Sequence, residues 1–154
     1  MGSFTVQRVV GASAEHTWEL LTDWPRHTGT VPLTHVRTLP AADGRTQGEG
    51  SGMAARTGLG PFSYDDRMTV TQWQPPTATT PGRCRLRKQG QGVTGGASFT
   101  VVPVAPARCR VVWHEQADVV GVHSLPFGDA VESLVGRLVF TRALRRLARQ
   151  AESA

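Results

Sequence analysis

The sequence has little of what most chemistry-bearing motifs require. Cys84 and Cys109 are its only cysteines, without metal-ligand spacing and too few for a secreted disulfide scaffold, so free buried thiols are expected. No two histidines have metal-ligand spacing, no glycine-rich loop followed by lysine is built to cradle phosphate, and there is no Gly-x-Ser-x-Gly elbow. Metal, nucleotide and serine-hydrolase chemistry are therefore disfavoured, and no cofactor is expected. No apolar run approaches the roughly 20 residues that cross a bilayer, and the N-terminus lacks a charged-then-apolar signal. The expectation is a cytoplasmic protein with no stable membrane insertion. Lys88 is the only lysine; the net charge of +5 comes from arginines scattered along the chain rather than clustered with aromatics, so nucleic acid is not an expected partner.

What is present is enough for one core. With 154 residues, 39% hydrophobic and 19% charged, the chain reads as a single domain over residues 1–154. Its one long helical pattern runs from Asp129 to Ala151, opened by a capping box of Asp129 and Glu132 after Pro126 and Gly128. Val131, Leu134, Val135, Leu138 and Val139 form one apolar stripe. Phe140, Ala143, Leu144, Leu147, Ala148 and Ala151 form another on nearly the opposite side, while Arg142, Arg145, Arg146 and Arg149 continue the direction of the first. The arginines thus lie on the side of the first stripe and the second apolar set lies opposite them, so either the helix bends near Gly136 or its halves meet different partners, and a monomer and a homodimer both stay open. The arginine row reads most simply as a solvated face.

The remainder alternates like strands. Phe4 to Val10 is a β-branched run, followed by a turn and a short helix from Ala14 to Thr22 capped by Ser13, then a second short turn or helix from Asp23 through Trp24 and Pro25. Six more strands follow at Leu33–Leu39, Gln47–Thr57, Phe62–Trp73, Cys84–Gln89, Ala97–Pro103 and Arg108–Val119, separated by glycine- and proline-rich turns. This order predicts an α+β fold: a curved seven-stranded antiparallel sheet wrapped around the long C-terminal helix, with two short helices after the first strand.

Three phrases carry a resemblance: F-x-V-x-R-x-V-x-A-S-A-E-x-T-W-x-L-L-T-D-W at Phe4 to Trp24, D-R-M-x-V-T-x-W-x-P-P at Asp66 to Pro76, and C-R-V-V-W-H-E at Cys109 to Glu115. With the element order they resemble the START-like, birch-pollen-allergen-like superfamily, in particular its polyketide cyclase/dehydrase and lipid-transport branch, over nearly the whole chain. The resemblance implies a helix-grip fold with a hydrophobic ligand cavity between sheet and helix. It does not fix a reaction, because members include cyclases, hydrolases and carriers.

The period of two then assigns faces. Cys109, Val111, Trp113 and Glu115 point inward on the last strand, Ala97, Phe99 and Val101 on the sixth, Cys84, Leu86 and Lys88 on the fifth, and Tyr64, Asp66, Met68 and Val70 on the fourth. Folding the hairpins sets Glu115 opposite Ala97 and Lys88 opposite Met68, with Lys88 and Glu115 roughly 10 Å apart across two strand spacings. In this register Cys84 and Cys109 are too distant for a disulfide. On the third strand Arg56 shares a phase with Gly48, Gly50, Gly52 and Ala54 and is expected diagonal to Asp66. The candidate ligand-binding set is Trp24, His27, Met53, Tyr64, Met68, Phe99, Trp113, His123, Val131 and Val135, around a hydrophobic small molecule. Arg56, Asp66, Lys88 and Glu115 are its polar members.

Charges on an inward face cost several kcal/mol unless paired. One reading is a structural ion pair of Asp66 with Arg56 or with Lys88. The other is catalysis of aldol closure and dehydration, with Glu115 as acid/base and Lys88 and Arg56 stabilising an oxyanion. His27 and His123 are either titrating residues at the cavity opening or ordinary surface histidines; His16, His35 and His114 are expected to face water.

Overall fold

In the computed structural model, which describes residues 2–119 and 128–153, strand β1 (Gly2–Val10) leads into helix α1 (Ala14–Leu21) and a 3-10 turn at Trp24–His27. Strands β2 (Thr34–Leu39), β3 (Gly52–Leu59), β4 (Phe62–Gln74), β5 (Gly82–Gln89), β6 (Val93–Ala105) and β7 (Arg108–Val119) follow, and helix α2 (Gly128–Glu152) comes last. All seven strands form one antiparallel sheet in the order β1-β7-β6-β5-β4-β3-β2. Successive hairpins build β2 to β7, and β1 returns across the fold to pair with β7 from Gly2↔Ala117 to Val10↔Cys109. The sheet curls around α2, which is the helix-grip α+β arrangement.

Local chemistry explains the elements. Ser13 caps α1 by accepting from the His16 amide at 3.2 Å, and Thr22 closes it by donating its hydroxyl to the Trp18 carbonyl at 2.8 Å. Strand β5 alternates without a break: Cys84, Leu86 and Lys88 are buried while Arg83, Arg85 and Arg87 are exposed. Strand β4 keeps Asp66, Met68 and Val70 inward, then a bulge between Val70 and Gln72 advances the phase by one. As a result Trp73, paired with Cys84, packs its ring 5.2 Å from Trp18.

Two boundaries differ from expectation for glycine reasons. Strand β3 starts at Gly52, because Gly48 (φ +88°) and Gly50 (φ +87°) take the left-handed backbone of a turn, closed by Ser51 N–H to the Gly48 carbonyl at 3.3 Å. Strand β6 starts at Val93, because Gly95 and Gly96 lie within the strand rather than in a turn: a Cβ at Gly95 would stand 2.1 Å from the Gln116 carbonyl oxygen of β7.

The core is joined by aromatic contacts that run from α1 through the sheet to α2. Trp18 meets Phe99 at 5.5 Å, Phe99 stacks on Trp113 at 5.5 Å, Trp113 meets Phe140 at 5.8 Å, and Phe140 meets Phe4 at 5.2 Å. Helix α2 reaches β1 closely at Gly136, where a Cβ would lie 2.3 Å from the Phe4 ring. Its second half buries Ala143, Leu144, Leu147, Ala148 and Ala151.

The first stripe of α2 is only partly covered by the sheet, so the two halves of the helix have different surroundings. Leu134, Val135 and Leu138 are 61%, 52% and 65% exposed. The sheet meets α2 along the line of Gly136, Val139, Phe140, Ala143 and Leu147, so Leu134 and Leu138 point away from it. Arg142, Arg145, Arg146 and Arg149 are exposed as a solvated row, and Arg146 Nη1 donates to the Gly29 carbonyl at 2.6 Å. The expected capping pair Asp129 and Glu132 lies outside the described side chains. No helix among the described residues is long and apolar enough to cross a membrane.

Candidate functional site

Between the concave face of the sheet and α2 lies a cavity of about 350 Å³, near the small end of the range for ligand sites, roughly 300 to 1,000 Å³. Its walls are mostly apolar. Met53 and Met68 come from β3 and β4, Trp113 from β7, Phe4 from β1, and Val139, Phe140 and Leu147 from α2. Of the lining residues, Tyr64 and Val135 are 45% and 52% exposed, and His27 of the 3-10 turn, Thr30 and Val31 complete the wall.

Against this apolar lining stand three charged side chains, Asp66, Lys88 and Glu115, 8%, 6% and 4% exposed. Lys88 Nζ donates to Asp66 Oδ2 and to Glu115 Oε1, the latter at 2.7 Å, and its remaining contact is the Met68 thioether at 3.7 Å. Trp113 Nε1 donates to the second Glu115 oxygen at 2.9 Å. Both oxygens of Glu115 are thereby engaged. Asp66 Oδ1 is buried and without a hydrogen-bond partner.

Facing and spacing explain this convergence. Met68 pairs with Lys88, Leu86 with Ala97, and Ala97 with Glu115, so the three charges sit on one inward surface across β4 to β7. Their backbones are two strands apart between Lys88 and Glu115, as expected, but the heads meet. The residue opposite Lys88 is Gly95 and the one opposite Glu115 is Ala97, and over such small neighbours both long side chains lean together.

Burial dominates the electrostatics. It pushes the Asp66 carboxyl above its ordinary value, opposed by the Lys88 ammonium and assisted by the nearby Glu115 charge. Burial also works against the Lys88 charge, but the Glu115 and Asp66 carboxylates outweigh it and hold the ammonium above its ordinary value. His27 is buried and donates Nε2–H to the Leu21 carbonyl at 2.7 Å, because a carbonyl can only accept. Burial lowers its pKa, so the ring is neutral with Nδ1 left as an acceptor. It is not a surface histidine.

Of the residues singled out from sequence, Asp66, Lys88, Glu115, His27, Met53, Tyr64, Met68, Trp113 and Val135 all line the cavity. Trp24 and Phe99 do not. Both are about 1% exposed in the layer beneath it, where Phe99 backs Trp113 and Trp24 meets Phe99 edge-on at 6.5 Å. His123 and the Val131 side chain lie outside the described residues.

Arg56 is a correction. It pairs with Asp65, not Asp66, lies on the outer face with its side chain 55% exposed, and reaches Asp65 Oδ1 at 3.7 Å. Met53 and Arg56 are three residues apart on a strand and so must face opposite ways; the inward set of β3 is Met53, Ala55 and Thr57. Ala55 and Thr57 were legible from Met53 by that rule. Thr30, Val31 and Phe140 carried no comparable signal.

The cysteines are free and buried, and burial pushes Cys84 up to about 12, which leaves it unreactive. Cys109 Sγ–H donates to Thr17 Oγ1 at 3.3 Å. Among the described residues no group of three His, Cys, Asp or Glu side chains is placed to hold a metal.

A family model described as polyketide cyclase / dehydrase and lipid transport matches residues 1–152. Among curated proteins none matches the chain. Solved structures that share the fold include a START superfamily protein from Mycobacterium smegmatis, at 18% identity and TM-score 0.71 over 97% of this chain and 99% of that one. The Zhui aromatase/cyclase from Streptomyces sp. R1128 shares 17% identity at TM-score 0.66, over 97% and 93%. A conserved protein from Geobacillus kaustophilus shares 14% at TM-score 0.70, over 98% and 95%.

Proposed function

We propose, for a chain that belongs to the polyketide cyclase/dehydrase and lipid transport family, that the cavity binds a mid-sized hydrophobic or aromatic molecule and promotes intramolecular aldol closure and dehydration of a poly-keto chain. The observation that carries this reading is the Asp66–Lys88–Glu115 cluster set into an otherwise apolar cavity with one carboxylate oxygen unpaired. An aldol closure needs a base to remove a proton from carbon, an acid to protonate the resulting alkoxide, and a second proton transfer to release water. Asp66 suits this better than Glu115. Both Glu115 oxygens already accept hydrogen bonds, whereas Asp66 has a buried oxygen without a hydrogen-bond partner and a pKa raised by burial. On this reading Asp66 moves the protons, and Lys88 and Glu115 position it; the apolar walls fold the chain and exclude water.

A second reading, a carrier that binds without turnover, is favoured by the internal satisfaction of Lys88 and Glu115, which serve each other rather than a ligand. Mass-spectrometric product analysis of a reactive poly-β-keto thioester separates the two. A cyclase changes the spontaneous product profile, and Asp66→Asn returns it towards the spontaneous one, by about 100-fold or more in rate, while melting as a folded protein. An unchanged profile with a raised melting temperature leaves the carrier.

A further inference from the structure

With Asp66 ionised, the three charges of the cavity do not sum to zero. One ammonium stands between two carboxylates, and among the described residues no other charged side chain lines the cavity. The neighbouring imidazole of His27 is held neutral by its burial, gives its Nε2–H to the Leu21 carbonyl, and offers only an acceptor. Lys88 has no donor to spare: two N–H groups go to carboxylates and the third faces the Met68 sulfur. Asp66 Oδ1 is an unanswered acceptor. The charged floor of the cavity therefore offers acceptors and excess negative charge, and no free cation.

We propose that this cavity selects neutral ligands that present a hydrogen-bond donor, such as an enol or phenol hydroxyl, to Asp66, and rejects ligands carrying a carboxylate. This rests on the reading of the cavity as a ligand site and narrows it: free fatty acids and other carboxylates are excluded, while poly-keto chains in their enol form and the phenols they close to are admitted. The physical reason is asymmetric. A donor that answers Asp66 Oδ1 removes a buried unpaired acceptor, whereas an incoming anion is desolvated beside a site that already holds surplus negative charge.

Ring-matched probes test it at pH 8 by titration calorimetry: 2-naphthol, its methyl ether, and 2-naphthoate. The expected order is naphthol first, the methyl ether about tenfold weaker for lack of a donor, and naphthoate weakest. Asp66→Asn, shown to be folded by its melting curve, brings naphthoate closer to naphthol because the surplus charge is gone. Naphthoate or the methyl ether binding wild type as well as naphthol overturns the selection while leaving the ligand site standing. Failure of all three to bind overturns the ligand-site reading, and the selection with it.

Discussion

Asp65 and Asp66 are consecutive residues of β4 with opposite surroundings. Asp65 lies on the outer face between two arginines, with Arg37 Nη2 3.0 Å from Oδ2 and Arg56 Nη1 3.7 Å from Oδ1. Asp66 lies on the inner face and shares a single lysine with Glu115. Outside, two cations serve one carboxylate in partial contact with water; inside, two carboxylates share one cation away from it. The hydrogen bond from Arg37 holds Asp65 below the ordinary carboxylate range, and burial pushes Asp66 above it. One step along a pleated strand reverses the sign of the shift, which shows that the face, and not the residue type or its neighbours in sequence, sets the chemistry.

The largest break in this comparison is to remove the inner cation. Lys88→Met leaves two buried carboxylates unpaired, and a loss of about 3–5 kcal/mol in chemical denaturation is expected; a loss no greater than that of an outer pair would mean the cluster is solvated.

The two aspartates also predict opposite pH dependence. The Asp66 contribution is fully present below the ordinary carboxylate value of 3.8 and is lost as pH rises through its raised folded value. Wild type therefore weakens relative to Asp66→Asn as pH rises through that window. For Asp65 the contribution is present above 3.8 and is lost as pH falls through its lowered value, so wild type loses its advantage over Asp65→Asn in acid. Denaturation midpoints of the three proteins across pH check both signs, and parallel curves would remove the distinction. The smallest effect is expected from Arg37→Ala: its half-exposed pair is worth less than about 1 kcal/mol.

The same pleat decides what could be read in advance. Strands β4 to β7 alternate apolar and polar residues clearly enough that Met68↔Lys88 and Ala97↔Glu115 followed from turn positions alone. Strand β3 does not. Gly52, Ala54, Ala55 and Gly58 show no contrast between faces, so nothing but Met53 marked the phase, and Arg56 was turned the wrong way. The meeting of Lys88 and Glu115 was hidden for a different reason: backbone spacing sets a separation, but side-chain length and the absence of bulk at Gly95 and Ala97 decide whether heads close it. On α2 the apolar pattern named which residues are greasy without saying that the sheet covers one direction only, leaving Leu134 and Leu138 exposed.

The strand order bears on how the chain acquires this shape. β1 precedes the other six strands in the sequence, yet its partners are β7 and α2, which follow the rest of the sheet, with Gly2 opposite Ala117 and Phe4 against Gly136 and Phe140. Until synthesis reaches them, β1 has no ladder to join, and the hairpins from β2 to β6 must form with an open edge. Pairings separated by more than a hundred residues carry a high loop-closure cost and fold slowly. The cavity, whose walls include residues of β1, β7 and α2, closes only when these three have met.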